Sequence, residues 1–313
     1  MLCGTGVLRK MTWNGKIERL RALNHIVESI LYARWFNLLK DSLIILTVIV
    51  LLLAPIIYIT SYVVIDWWEI NYNVFSHPII YSTRWGILWE SLLLSFKLAF
   101  YATLIDVIIG VPIALVLQSS SMPGRRVLDT LVNIPLATPT SALGFATLIF
   151  WGTRAGIGGL LGLTTGVFTL DELIGGDMLG IPPLLLLAHV SFTFPYVVRS
   201  VSAVLEGIDP SYAEVAQTLG AKSFTRFRTV MLPLMAPGVF AGSILAFTRS
   251  LGETGASIIV AGVFTTAPIL VVEWKAELLI APAALLSAIL VSMACVSIFV
   301  FRKLMGAAFT RAI

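Results

Sequence analysis

Asp209–Pro233 reads DPSYAEVAQTLGAKSFTRFRTVMLP. After the first 42 residues it is the longest run rich in polar and charged residues, and apolar segments long enough to span a bilayer flank it. Glu214, Ala216, Gly220, Leu232 and Pro233 stand in a fixed spacing: E-x-A, three residues, G, nine residues, then apolar-x-L-P. Asp209 is placed to cap a helix, with Pro210 at a first helical position where its missing N–H costs nothing. Ser211 and Glu214 offer a second start, a capping box two residues on. Gly220 is placed to end the helix, because glycine alone takes the left-handed conformation without strain. The expected helix has about ten residues, roughly 15 Å. Ser223 is placed to cap a second short helix. Lys222, Arg226 and Arg228 follow the glycine closely, and Pro233 is expected to open the next apolar segment.

The surrounding chain explains why so polar a stretch stands out. Of 313 residues, 58% are hydrophobic and 12% charged, with mean hydropathy +0.94. Soluble domains carry about 25% charged residues, so an integral membrane protein is expected. Six apolar runs approach the roughly 20 residues that a bilayer requires. They lie near 43–66, 88–118, 127–151, 182–206, 234–262 and 282–304. Each is expected to be helical, since hydrocarbon leaves a backbone no other hydrogen-bond partner. The second is over-long and must tilt or begin outside the hydrocarbon.

Lys/Arg placement sets the orientation. Fifteen of the 21 basic residues fall on one side if both termini are cytoplasmic: seven in residues 1–42, then Arg125 and Arg126, Lys222, Arg226 and Arg228, and Arg302, Lys303 and Arg311. The opposite loops carry Asp66, Glu69, Asp171, Glu172, Asp177, Glu273 and Glu277. This yields an all-α protein of six transmembrane helices with both termini inside. Residues 1–42 form a basic cytoplasmic extension, 43–304 the membrane domain and 305–313 a cytoplasmic tail. Residues 26–39 are amphipathic and suited to the inner membrane surface. The first 42 residues are polar, and the next apolar run is too long for a signal core, so no cleavable signal peptide is expected. The glycine-rich segment 152–181 and residues 265–281, with a short helix from Pro268 to Leu279, are expected outside.

Residues of catalytic type are sparse. The chain shows no nucleophile–base set, no metal-ligand cluster and no phosphate-binding Gly-x-x-x-x-Gly-Lys loop. His25, His77 and His189 are scattered, and Cys3 and Cys295 lie at opposite ends. No catalytic residue, metal or cofactor is therefore expected, and the energy for any transport must come from another subunit or a gradient. Four ionisable residues fall deep inside apolar runs, where burial is costly unless paired or wetted: Lys97, Asp106, Arg249 and Glu253. Arg249 and Glu253 are four apart and can pair on one helix. Lys97 and Asp106 each need a partner from another helix. Arg199 lies near enough to the inner boundary to snorkel. Pro112, Pro135, Pro139 and Pro195 each favour a kink or a break. Asn133–Ser141 (NIPLATPTS) holds two of them beside Thr138, Thr140 and Ser141. A broken helix with exposed N–H groups suits passage of an anion, and these residues with Arg249 and Glu253 are the candidate path or gate.

The spacing in 209–233 resembles the EAA loop of ABC importer membrane subunits, which docks on the ATPase. Several segments resemble one subfamily, the permeases of sulfate, molybdate and tungstate importers: SLLLSFKLAFYATLIDVIIGVPIAL (91–115), IPLATPTSALGF (134–145), FPYVVRSVSAVLEGIDPSYAEVAQTLGA (194–221), FTRSLGETGASIIVAG (247–262) and TAPILVVEW (266–274). The resemblance covers roughly 85–304. It implies a type I importer fold, a second permease copy forming a homodimer, two ATPases that bind ATP-Mg, and an external binding protein, with no nucleic acid. It also gives Glu214, Ala216, Gly220, Leu232 and Pro233 an ATPase-docking role. Asp106 departs from the family, and Gly252-Glu253-Thr254 is closer to phosphate permeases, which keeps phosphate as an alternative cargo. An ion-coupled secondary transporter using Asp106 is the competing class, but it would not need the EAA spacing.

The topology is testable on a chain whose Cys3 and Cys295 are changed to Ser. Cysteines at Ser119 and Ser223 should react with an impermeant thiol reagent only from the cytoplasmic side. Those at Thr164 and Lys275 should react only from outside. Outside labelling at 223 would overturn the orientation.

Overall fold

The computed structural model describes residues 34–76, 81–118, 122–152, 156, 180–209 and 211–310. The expected amphipathic segment 26–39 and the glycine-rich segment 152–181 lie largely outside them, as does Pro210. All regular elements described are helices. Residues 1–59 and 60–313 form two compact units.

In the first unit, α1 (Arg34–Val48) passes through a π-helical turn (Ile49–Leu53) into α2 (Ala54–Ile65). The apolar span covers Asn37–Ile65. Its Leu, Ile and Val side chains are exposed along its length, as hydrocarbon contact allows.

In the second unit, α2 ends and α3 (Trp67–Ile70) and a π turn follow, before α4 (Tyr81–Gln118), α5 (Arg125–Ala137), α6 (Thr140–Gly152) and α7 (Pro183–Glu206). Then come α8 (Ser211–Thr218), α9 (Ser223–Arg226), a π turn (Phe227–Met231), α10 (Leu232–Leu251), α11 (Ser257–Val260), α12 (Ala267–Ala276) and α13 (Ile280–Thr310). Counting Asn37–Ile65, five unbroken helices are long and apolar enough to cross a membrane, and α5 with α6 makes a sixth if taken together. α4 has 38 residues, about 57 Å at 1.5 Å each, which accounts for its over-long span.

The third and fifth spans differ from the sequence expectation. The run 127–151 is not one helix: α5 and α6 meet at 111°. Only Pro139 breaks a helix; Pro112, Pro135 and Pro195 lie inside α4, α5 and α7. Thr138, before Pro139, is extended at φ −91°, ψ 137°, the conformation a following proline favours. The run 234–262 is not continuous either. Its helix starts earlier, at Ser223, and ends at Leu251, before Gly252. The apolar residues 257–260 belong to a separate turn of helix.

α4, α7 and α10 pack on one another as the core. Their close approach depends on glycines. A Cβ on Gly238 would lie 2.7 Å from the Ser200 carbonyl, and one on Gly242 would lie 2.7 Å from the Val197 Cα. Gly238 and Gly242 are one turn apart, a small-xxx-small face against the α7 backbone. Around this contact Val111, Val132, Val197, Val201, Leu205 and Met235 are buried. α12 is fixed to α4 by its first N–H, from Ala267 to Ser95 Oγ at 2.8 Å. α12 covers the expected external helix but stops at Ala276.

Gly242→Ala should force α10 away from α7. The expected cost is about 1–3 kcal/mol, the usual range for overpacking. Gly86→Ala, with nothing among the described residues within 4 Å of the new Cβ, should instead raise stability by about 1 kcal/mol through helix propensity. Thermal unfolding of the detergent-solubilised protein should show opposite shifts in Tm.

Candidate functional site

The polar loop folds as a tightly terminated hairpin of short helices. Ser211 N–H donates to Asp209 Oδ1 at 2.8 Å, so the start rests on Asp209 rather than on a Ser211–Glu214 box. That backbone N–H holds the exposed Asp209 carboxyl below the usual carboxylate range. The other end is a Schellman motif. Ala221 N–H bonds to the Ala216 carbonyl and Gly220 N–H to the Gln217 carbonyl, both at 3.0 Å, with Gly220 at φ +83°. Ala216 thus supplies the carbonyl that the motif closes on. α9 begins with Ser223 itself. Its N-cap is Lys222, which is extended and makes no side-chain cap bond, so the expected Ser223 cap is not formed. Arg226 bonds Gln217 Oε1 at 2.9 Å and clamps α9 to α8. The wide π turn then leads into Leu232 and Pro233; a loosened turn before a proline relieves its clash with the preceding carbonyl. Tyr212, Val215, Leu219 (83%) and Phe224 (73%) are exposed apolar side chains on this hairpin, beside exposed Glu214.

The second cluster forms where the two helix interruptions meet. A Cβ on Gly255 would lie 2.7 Å from Thr140 Oγ1 and 3.4 Å from Ser141 N, and one on Gly144 would lie 2.8 Å from Ala256 Cα. The start of α6 therefore sits on the turn 252–256. Within that turn Arg249 Nη1 reaches Glu253 Oε2 at 2.5 Å. Glu253 Oε1 accepts from Ala256 N–H at 2.9 Å. The two charges pair as anticipated but not along one helix, because α10 ends between them. Glu253 is buried, whereas the Arg249 side chain is 35% exposed and lies 5.4 Å from the Phe192 ring centroid. Of the expected path residues, Thr140, Ser141, Arg249 and Glu253 come together. Pro139 is the hinge, Thr138 bonds back to the Ile134 carbonyl, and Pro135 stays inside α5.

Other residues found different partners from those expected. Arg199 has partners within the protein: it pairs with Asp129 at 2.9 Å and bonds Asn133 at 2.7 Å, joining α7 to α5. Lys97 is exposed and lines a cavity of about 750 Å³ with Arg84, Glu90, Glu273 and Glu277, so it is wetted rather than buried. Asp106 is fully buried, and neither carboxyl oxygen has a hydrogen-bond partner among the described residues. His189 is the residue sequence reasoning passed over. It is buried, with ring nitrogens 2.7 Å from Ser250 Oγ and 2.8 Å from Ser257 Oγ. Those partners lie 61 and 68 residues away, so no local pattern points to them. Among the described residues no three His, Cys, Asp or Glu side chains gather as a metal site requires.

A sequence profile of the family described as "binding-protein-dependent transport system inner membrane component" matches residues 106–311. The chain belongs to this family. It is homologous to the molybdenum transport system permease protein ModB of Escherichia coli (strain K12), with 35% identity over 170 residues, 54% of this chain and 70% of that one. It is similar to the sulfate transport system permease protein CysT of Salmonella typhimurium, with 36% identity over 179 residues, 57% of this chain and 58% of that one. Its fold is similar to the crystal structure of a bacterial ABC transporter involved in the import of the acidic polysaccharide alginate. The TM-score there is 0.58 at 14% identity, over 93% of this chain and 99% of that one. As a member of this family the chain is a multi-pass permease subunit of an ABC importer in the cell membrane.

Truncating Arg249 alone strands a buried carboxylate. Arg249→Ala should destabilise the protein by about 1–3 kcal/mol, less than the ~3–5 of a fully buried pair because Arg249 is a third exposed. The double change Arg249→Ala with Glu253→Gln should recover much of this, since a neutral amide keeps the Ala256 bond. Unfolding curves of the three proteins check it; equal losses in single and double variants would argue that the guanidinium acts on its own.

Proposed function

We propose that this permease subunit forms the path by which a tetrahedral oxyanion enters the cell, with molybdate or tungstate and sulfate as the leading cargoes. ATP-Mg is bound and hydrolysed by a separate ATPase subunit that docks on the Asp209–Pro233 hairpin. The observation that carries this reading is the hairpin itself. An eight-residue helix, closed at both ends by its own hydrogen bonds, presents Tyr212, Val215 and Leu219 to solvent in the isolated chain. An amphipathic helix laid in a groove uses such anchors, three and four residues apart. The homology to molybdate and sulfate permeases supports the choice of cargo.

The path runs past the paired helix breaks. Arg249, Thr140, Ser141 and the first N–H groups of α6 make a donor-rich surface, suited to an anion that accepts hydrogen bonds on every oxygen. Glu253 neutralises Arg249 when no anion is there, so the cargo must compete with a carboxylate already on the protein. Alternating access then exchanges these partners as the two permease copies of the homodimer rock against each other. An external binding protein delivers the anion. Val263, which lines the cavity that holds Lys97, and Leu278, next to the lining residue Glu277, support such a contact, being 86% and 82% exposed.

Gly220 separates this reading from its competitors. It has positive φ, and apart from its chain neighbours no atom of the described residues lies within 4 Å of the point a Cβ would occupy. A side chain there would add about 1–2 kcal/mol of local strain and would meet only a partner. Gly220→Val should therefore leave the protein inserted and abundant, yet weaken ATPase association and abolish ATP-driven uptake of radiolabelled molybdate or sulfate. Glu214→Ala should be mild, at most about 1 kcal/mol for an exposed charge. Normal ATPase stoichiometry and uptake in Gly220→Val would show that the hairpin is not the coupling element.

A further inference from the structure

We propose that His189 is a positioning residue. As an uncharged imidazole protonated on Nε2, it clasps the interruption between α10 and α11 and holds Glu253 against Arg249. The inference rests on the path reading above and assigns a role to a residue outside it.

The tautomer is assigned from the place of Ser257, whose Oγ lies 2.8 Å from Nε2 and 3.1 Å from the Glu253 carbonyl oxygen. Ser257 Oγ donates its only proton to the Glu253 carbonyl at 3.1 Å. With that proton on the carbonyl, Ser257 Oγ accepts from Nε2, 2.8 Å away, and Nε2 carries the hydrogen. Nδ1 is left with its lone pair and accepts from Ser250 Oγ at 2.7 Å. In this arrangement each of the three donors, Nε2–H and the two hydroxyls, has an acceptor, with no added charge. The set is also closed to water: His189 is 1% exposed, Ser250 3% and Ser257 0%.

The location gives the clasp its effect. Ser250 is in the last turn of α10 and Ser257 opens α11, so the ring bridges both ends of the unwound turn from a third helix, α7. Glu253 lies inside the bridged turn. Its carbonyl receives the Ser257 proton, and its carboxylate receives the Ala256 N–H and the Arg249 guanidinium. One turn along α7 from His189, Phe192 offers its ring to the same guanidinium. One face of α7 thus fixes both members of the pair. Freeing either serine would let the turn shift and the carboxylate withdraw, leaving Arg249 open to an anion in the resting state.

The test uses the full chain in its transport complex, reconstituted in vesicles, and compares Ser257→Ala, His189→Gln and Arg249→Ala. Nitrogen NMR of ring-labelled histidine, with His189→Gln identifying the signal, should show protonated Nε2 and bare Nδ1 at neutral pH. Ser257→Ala removes the acceptor, so the proton should move to Nδ1, where Ser250 can accept it. Without ATP, efflux of radiolabelled sulfate and of molybdate should rise about tenfold in Ser257→Ala, the scale of one lost buried hydrogen bond. The proposal is overturned if Nδ1 carries the proton in the unaltered protein. It is also overturned if Ser257→Ala leaves efflux unchanged while Arg249→Ala alters it. If anion flux changes in neither variant while the ring signals are as assigned, the path reading falls and the clasp stands. Ser257→Ala keeps the test decisive should His189→Gln fail to fold.

Discussion

A peptide group in hydrocarbon has no solvent to bond with, so a helix can be interrupted there only where other protein covers the break. This chain interrupts two helices, at Thr138–Pro139 and at Gly252–Ala256, and lays one interruption on the other. Gly144 and Gly255 make that possible, because a side chain at either would collide with backbone or with Thr140. Much of the candidate site follows from this. Arg249 and Glu253 pair around a helix end, Glu253 gives one oxygen to the Ala256 N–H that the break released, and His189 satisfies two serines that flank it.

The charges obey a related constraint. Arg199 finds Asp129 and Asn133, and Arg249 finds Glu253 and the face of Phe192. Asp106 stands apart, enclosed among the core helices with neither carboxyl oxygen bonded. Such a group is costly to bury, and its neighbour Thr193 donates its own proton to the His189 carbonyl.

What the sequence revealed follows how local the cause was. The hairpin was legible because capping and left-handed termination are set by residues two to five apart: Asp209 with Ser211, Ala216 with Ala221. The span count was legible because length and hydropathy suffice. The choice among prolines was not. Pro135 and Pro139 look alike in the chain, and the helix breaks only at Pro139, where the start of α6 seats against the turn at Gly255. Ser257–Val260 read as the tail of a span because its apolar residues continue the run, although Gly252 had already ended the helix. Gly238 and Gly242 were visible as letters, but their use depends on the α7 backbone they touch. His189 was illegible for the same reason, since both its partners are far away in the chain.

The π turn at Phe227–Met231 has a mechanical side. Ser223 to Leu251 is one continuous apolar rod of 29 residues, about 43 Å long, with the Asp209–Pro233 hairpin at one end and Arg249 in the last turn at the other. A rod relays displacement along its length. The wide turn is its weakest cross-section, where one residue more per turn leaves the hydrogen-bond ladder slack. Torque applied at the hairpin would be taken up there first, as a change of winding at the hairpin end of the rod. What remains would reach Arg249, paired with Glu253 at the far end of the rod, as a small rotation.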